Sequence, residues 1–327
     1  MAMILILTRQ EDSHSDRVIR ELERRGHAYL RFEPDRLFAM PTVSWSNPEW
    51  VSTQLSNRFG VDLDRISSVW FRRPDLPTSC RSDCSPYSAV RLSHMRGLVR
   101  SFWYLLEDRF WINPLRPSWS ARVKPYQLSL AQSAGLAVPR TLISNDPNEV
   151  INFVEGCGGR VVYKALTSYS ETDENGKDLG VYAVCVDQRE VVRRRYQLKS
   201  APSIFQELVQ KRADIRVTVV GDHIFSTAIT YSGENDSHVD WRHDIVSRDF
   251  TPITLPDNVL EGVLKLMALL GLRLACMDFL QTLDDRFVFL EVNPDGQWLW
   301  IEQTTGVPVL DTFVELLAGR EVLNCSS

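Results

Sequence analysis

At 327 residues, with 44% hydrophobic and 24% charged positions, the chain can form two or three packed units with ample core and has the balance of an ordinary globular protein. A formal net charge of −5, without a single-sign block, argues against coating nucleic acid. The apolar start at 1–7 is too short for a signal or membrane helix, and the six cysteines (Cys80, Cys84, Cys157, Cys185, Cys276 and Cys325) include no CxxC pair and no histidine at zinc spacing, so free thiols, no membrane attachment and a cytoplasmic location are expected.

Residues 3–7, MILIL, have the length and composition of a buried strand. A helix is predicted over 13–25, with Val18, Ile19 and Leu22 apolar; Gly26 stops it, and 27–32 reads as a second strand. Strand, helix, strand predicts a small α/β sheet. No glycine-rich loop follows the first strand, so a dinucleotide fingerprint is missing. Residues 40–60 predict an irregular excursion, with a hairpin around Trp45 and Trp50. A strand at 67–71 ends in Arg72-Arg73-Pro74, two arginines that either grip an anion or face solvent. A long helix over 85–107 and a strand over 110–114 close a first unit, set at 1–116.

A second unit is set at 117–203. It opens with a helix over 120–135, carrying Lys124 near its start and Ala121, Leu128 and Ala131 inward. A strand entry at 138–141 and a helix at 147–155 lead to a loop with Gly156, Gly158 and Gly159. The strand VVYKA follows, and Lys164 within it needs an anionic partner or a route to solvent. Only six of the 37 cationic residues are lysine, so this position is informative. Residues 167–180 are polar and read as a flap on a hairpin, with strand character resuming at 181–186. A helix or helix edge at 191–198 carries Arg193, Arg194 and Arg195, by default a solvated face.

The third unit, 204–327, opens with a strand over 204–209 containing Gln206, Glu207, Leu208 and Val209. A strand at 214–221, with Asp214 and Arg216 at its start, forms a hairpin with 224–231. The stretch 232–250 is polar and contains Asp240-Trp241-Arg242. Helices are predicted at 258–270, stopped by Gly271, and at 312–317. Between them, 277–280 and 286–292 flank Asp284-Asp285 and read as a β-hairpin. A turn centred there sets Asp278 opposite Glu291, and alternation puts Asn293 on the face of Glu291. Two carboxylates and an amide oxygen form a hard, oxygen-only set suited to magnesium that phosphates also hold. The alternative is a pair of surface acids at a strand end; against it, both interrupt apolar strands, where an unpaired charge is expensive.

The order of these parts resembles the ATP-grasp carboxylate–amine ligases from about residue 115 onward. The resemblance rests on Asp278 with Glu291-Val292-Asn293-Pro294, on Lys164 and on the 206–209 strand. It implies an α/β (α+β) ATP-grasp fold, with a small N-terminal α/β domain before two lobes that clasp ATP. It further implies that Lys124 and Lys164 hold phosphates, that Gln206, Glu207, Leu208 and Val209 form the adenine hinge, and that Asp214 lies near the ribose. Asp278, Glu291 and Asn293 match the magnesium ligands, and 167–180 matches the phosphate lid. Asp214-Ile215-Arg216 and Asp240-Trp241-Arg242 are similar to motifs of the ribosomal-protein glutamate ligases, although the residues after Arg242 depart from that group.

The first unit, with VWFRRP at 69–74, looks closer to the microviridin-type peptide maturases, or graspetide ligases. That implies a precursor peptide whose leader docks on the enzyme and whose core side-chain carboxylates are joined to Ser/Thr hydroxyls or Lys amines; a homodimer is implied likewise. Arg216 and Arg242 would then clamp the transferring phosphoryl group and the acceptor carboxylate. A competing reading makes Arg242 a structural partner of Asp240 or Asp244. His238 and His243 flank the second motif without a role as base assigned to either. The rival functions are addition of free amino acids to an acceptor, and nucleotide binding without turnover.

Overall fold

The computed structural model describes residues 2–35, 63–76, 87–167, 183–231 and 248–319. The hairpin expected around Trp45 and Trp50 lies outside these residues, as do Asp240, Arg242, both flanking histidines and 168–180 of the expected lid.

The N-terminal sheet contains β1 (Met3–Leu7), β2 (Tyr29–Phe32), β3 (Ile66–Phe71) and β4 (Phe110–Ile112), in the order β2-β1-β3-β4 with parallel neighbours. Its first strand is apolar throughout because both faces are covered. Ile4 and Ile6 pack with Val18 and Leu22 of α1 (Ser13–Arg24). Leu5 and Leu7 pack on the opposite face with Val99 and Trp103 of α2 (Ser88–Leu105). Asp12 caps α1 by accepting from the Ser15 N–H at 2.8 Å.

The single helix expected at 120–135 is two: α3 (Leu115–Ala121) and α4 (Lys124–Ser133). Pro125 explains the break. It fits the first turn of a helix, but in an interior its ring meets the carbonyl four residues back. Leu128 packs, partly buried, against the core that holds Ala121 and Ala131, and Gln127 is buried on α4 as well.

The central sheet is antiparallel, in the order β5-β8-β6-β7, with β5 (Thr141–Ser144), β6 (Arg160–Lys164), β7 (Val184–Asp187) and β8 (Ser203–Glu207). It carries α5 (Pro147–Gly156), α6 (Gln188–Arg193) and α7 (Arg195–Leu198), with Val150, Val154, Val161, Val191 and Phe205 buried between.

The C-terminal sheet orders β9 (Lys211–Val220), β10 (His223–Tyr231), β11 (Arg248–Ile253), β12 (Leu274–Thr282) and β13 (Phe287–Asn293) as β11-β10-β9-β12-β13. One face, with Ile215, Val217, Met277 and Phe279, packs on Val263, Leu266 and Met267 of α8 (Asp257–Leu270). On the other, Val220, Leu274 and Cys276 lie among Trp298 and residues of α10 (Val309–Leu317), in one core with Ile4 and Ile6 of β1. Farther along that face, apolar residues give way to Asp214, Arg216 and Asp278. Two elements were not expected: β11, in a stretch read as polar, and α9 (Leu299–Thr305).

Polar side chains weld the N-terminal sheet to this one. Asn113, just past β4, is 2% exposed. Its Nδ2 donates to the carbonyls of Leu274 at 2.7 Å and Pro294 at 3.0 Å, while its Oδ1 accepts from the N–H groups of Arg273 at 2.7 Å and Leu274 at 2.8 Å. The amide thus substitutes for a missing strand. Asn113→Ala strands buried backbone groups, and a loss of about 2–4 kcal/mol is expected as a lower urea midpoint with unchanged slope.

Candidate active site

The register at the site agrees with expectation, by a route the sequence did not suggest. The hairpin loop has three residues, 283–285, not two. Thr282 N donates to the Arg286 carbonyl at 2.9 Å, and Asp285 N to that of Thr282 at 3.1 Å, with Asp285 in the left-handed region at φ 61°. This longer turn offsets the pairing by one residue, so Phe279 lies opposite Phe289. A bulge at Leu290 restores it, and Asp278 pairs with Glu291, Met277 with Val292 and Cys276 with Asn293.

On the next strand Arg216 lies opposite Asp278. Its Nη1 donates to Asp278 Oδ1 at 2.9 Å and its Nη2 to the Gln297 carbonyl at 2.9 Å, while its Nε is buried without a partner. Burial opposes the charge, but Cys276, Asp278 and Glu291 outweigh it and raise the pKa. The carbonyl of Gln297 comes this close because Gly296 precedes it. A Cβ at Gly296 would lie 2.2 Å from Cys276 Cβ and 3.2 Å from Arg216 Nη2.

Lys124, at the start of α4, is 3.8 Å from Glu291 Oε2 and donates to the Ala165 carbonyl at 3.2 Å. Ala165 follows Lys164 at the end of β6, so Lys124 reaches the strand end that carries the other lysine expected to hold phosphates. One turn along α4, Gln127 serves the metal strand: its Nε2 donates to the Val292 carbonyl at 2.8 Å and also to Ala121 O, and its Oε1 accepts from Val292 N at 3.1 Å. Val292 stands between Glu291 and Asn293. Gln127 was not singled out from the sequence, though its spacing of three from Lys124 puts both on one helix face.

The residues expected to form the adenine hinge lie at the end of β8. Gln206 is buried and donates to Thr141 Oγ1 at 3.1 Å, with its Oε1 unpartnered. Glu207, Leu208 and Val209 are half-buried, and Leu208 and Val209 fall outside the strand. Asp214 lies on the face of β9 that carries Arg216; Lys211 Nζ is 2.6 Å from its Oδ2. Arg248, buried at the start of β11, also acts on Asp214 and lies over the Tyr231 ring at 4.9 Å; it too was missed. Asp295 was a further omission. Its N–H donates to Asn293 Oδ1 at 3.0 Å, its carbonyl accepts from Arg72 Nη1 at 2.9 Å, and its carboxylate pairs with Arg122.

The donor set fits a hard divalent cation: Asp278, Glu291 and Asn293 offer oxygen only, on one face of one hairpin. Asp278 is committed to Arg216 on one oxygen, and Glu291 only loosely to Lys124, so lone pairs remain on both carboxylates. Among the described residues no cluster of three His, Cys, Asp or Glu forms a competing centre, and no helix is long and apolar enough to cross a membrane.

Burial pushes the Asp214 carboxyl up to about 6, against the attraction of Lys211. A raised acid favours the folded state below its unfolded pKa and loses that contribution as pH rises through the folded value. Relative to wild type, Asp214→Asn should therefore gain on the order of 1–3 kcal/mol of unfolding free energy between pH 4.5 and 7.5. Paired urea titrations at the two pH values read this out, and parallel shifts would contradict it.

Residues 3–118 match the MvdD pre-ATP grasp domain, and residues 121–317 match the RimK-like ATP-grasp domain. The macrocyclase MdnC of Microcystis aeruginosa, solved with its precursor peptide MdnA, is 25% identical; the likeness covers 98% of this chain and 100% of that one, with a TM-score of 0.84. A RiPP-associated ATP-grasp ligase of Chryseobacterium gregarium, solved with ADP and a leader and core peptide, is 22% identical over 98% of each chain, with a TM-score of 0.86. A probable alpha-L-glutamate ligase of Shewanella loihica is 25% identical over 331 residues, 99% of this chain and 97% of that protein. The chain therefore belongs to the RimK-like ATP-grasp family and is an ATP-dependent ligase that uses ATP and magnesium.

Proposed function

We propose that the enzyme is a peptide macrocyclase: it activates Asp or Glu side chains of a ribosomal precursor peptide as acyl phosphates and joins them to Ser/Thr hydroxyls or Lys amines of the same peptide. The observation that carries this reading is the end-to-end likeness to MdnC, which includes the MvdD-type first domain. The units at 1–116, 117–203 and 204–327, a homodimer and a cytoplasmic location belong to the same reading and rest on the resemblance.

A carboxylate resists attack by an alcohol at neutral pH until one oxygen becomes a leaving group. Transfer of the γ-phosphoryl group supplies it, and attack by the hydroxyl or amine then expels phosphate. Each ring costs one ATP, releases ADP and phosphate, and leaves the peptide lighter by one water. Magnesium, when bound, neutralises phosphate charge and aligns the transferring group. Asp278, Glu291 and Asn293 hold it, and Gln127 keeps their strand in register. Lys124 and Lys164 grip the phosphates, the backbone of Glu207 to Val209 pairs with adenine with Gln206 behind it, and Asp214 meets the ribose. Arg216 orients Asp278 and lends a fixed positive charge beneath the phosphates. Arg242 clamps the acceptor carboxylate as it is phosphorylated.

The deciding experiment is the intact mass of the short peptide encoded nearest this gene, after incubation with enzyme, ATP and magnesium. Stepwise losses of one water are expected, abolished by Glu291→Ala and slowed about a hundredfold by Arg242→Ala. A mass gain by one amino-acid residue would instead establish the second reading, a glutamate-type ligase, which the Shewanella loihica relative favours. Gln127→Ala should raise the magnesium concentration for half-maximal ADP release about tenfold, as loss of a supporting hydrogen bond behind a ligand does. An unchanged magnesium dependence would remove Gln127 from the metal site.

A further inference from the structure

Beside the metal hairpin, a cavity of about 580 Å³ opens between β3, α2 and α3. Its apolar wall includes Phe71 and Trp103, edge to face with centroids 5.1 Å apart, and the exposed rings of Tyr104 and Trp119. Its polar groups are mostly donors. Arg73, Arg100 and Arg122 line it against the single carboxylate of Asp75. Trp103 is 5% exposed, yet its indole N–H is buried without an acceptor. Arg73 is half-buried with its backbone at φ 45°, a conformation unusual for any residue but glycine. Burial, together with Arg72 and Arg122, depresses its pKa, so an anion beside it is favoured.

Arg122 is already paired with Asp295, but Arg73 and Arg100 want an acceptor-rich ligand, and the aromatic wall wants an apolar body next to it. The volume suits more than a bare phosphate or acetate. The location narrows the choice further. Arg122 is both a wall of the cavity and the partner of Asp295, whose N–H holds Asn293, so the cleft is two contacts away from the candidate metal site.

We propose that this cleft is a subsite for the substrate peptide, taking a segment in which an acidic side chain neighbours an aromatic or large aliphatic one. The proposal rests on the peptide-substrate reading above. Arg73 and Arg100 pair with the carboxylate, and Trp119 and Tyr104 cover the apolar neighbour. Arg72-Arg73, undecided from sequence, thus divide the work: Arg72 turns inward to Asp12 and Asp295, and Arg73 faces the ligand.

The test uses acetyl-Phe-Glu-amide and its isostere acetyl-Phe-Gln-amide as probes, with saturation-transfer NMR on the full chain in the absence of ATP. The Glu probe should bind in the millimolar range and the Gln probe about tenfold more weakly. Arg73→Gln should abolish that preference and Trp119→Ala should weaken both probes, with circular dichroism confirming folded protein; Arg100→Gln, on the exposed rim, repeats the charge test independently of the Arg73 backbone. Equal binding of the two probes, affinities indifferent to all three substitutions, or no transfer up to about 10 mM would each overturn the subsite. The two proposals fail separately. Cyclisation of the precursor with an unchanged KM in the Arg73→Gln, Arg100→Gln double variant removes the subsite and leaves the macrocyclase. Discriminating probe binding without any cyclised peptide retains the subsite and removes the macrocyclase.

Discussion

A guanidinium in the middle of a sheet is the constraint to which the rest of this structure answers. Arg216 is 8% exposed on the central strand of five, and at neutral pH it cannot shed its proton to escape the cost of burial. Acceptors must therefore come to it. Asp278 does so from the adjacent strand, which ties the β9–β12 register to a charge as well as to packing. The Gln297 carbonyl does so from the turn after β13, which requires a glycine at 296. The next N–H groups, those of Trp298 and Leu299, then fall 3.0 and 3.1 Å from His14 Nε2. His14 can accept from both only as a neutral ring. Burial, with Arg72 close by, holds its pKa down at about 3. One buried charge thus organises a run of backbone from the metal hairpin to the first helix of the chain.

The N-terminal sheet is consequently part of the site. Asn113, Arg72 and Arg122 reach, respectively, the carbonyl of Pro294, the carbonyl of Asp295 and its carboxylate, while Asp295 in turn holds Asn293. The two carbonyls are groups that backbone pairing leaves over where a strand ends. Buried Arg72 also lies 3.3 Å from Asp12, the cap of α1, so helix start and hairpin end share a cation. A purely apolar contact could cover the same surface, but it would not specify the angle at which Asn293 leaves its strand.

Much of this was legible because period and punctuation agreed. The apolar run at 3–7, the helix stopped by Gly271 and the 214–231 hairpin all carry their signal locally. The pairing of Asp278 with Glu291 was legible because two acids interrupted apolar strands. The turn beside it was not: Asp285 takes a left-handed conformation that its type only weakly advertises, and the bulge at Leu290 has no residue signature. β11 escaped because Arg248-Asp249-Phe250-Thr251-Pro252 lacks alternation and contains a proline, which an edge strand tolerates. Gln127 and Asp295 escaped for a different reason. Their roles are to satisfy backbone groups distant in sequence, and nothing within a window of neighbours reports that demand.

The two ion pairs at the centre differ in kind, and the difference suits the proposed reaction. Arg216–Asp278 is short, bonded at 2.9 Å and nearly closed to solvent. Lys124–Glu291 is long, at 3.8 Å, with both side chains about a quarter exposed. Separating the first would leave a buried charge unpaired, at a cost of several kcal/mol; separating the second costs about 1 kcal/mol or less. On the proposed reading, phosphates enter between the units, and Lys124 turns from Glu291 to them and frees that carboxylate for the cation they bring. Asp278 keeps its orientation throughout, because Arg216 has nowhere else to turn. A fixed ligand and an exchangeable one, side by side on a single hairpin, let the site assemble around its nucleotide without first breaking anything buried.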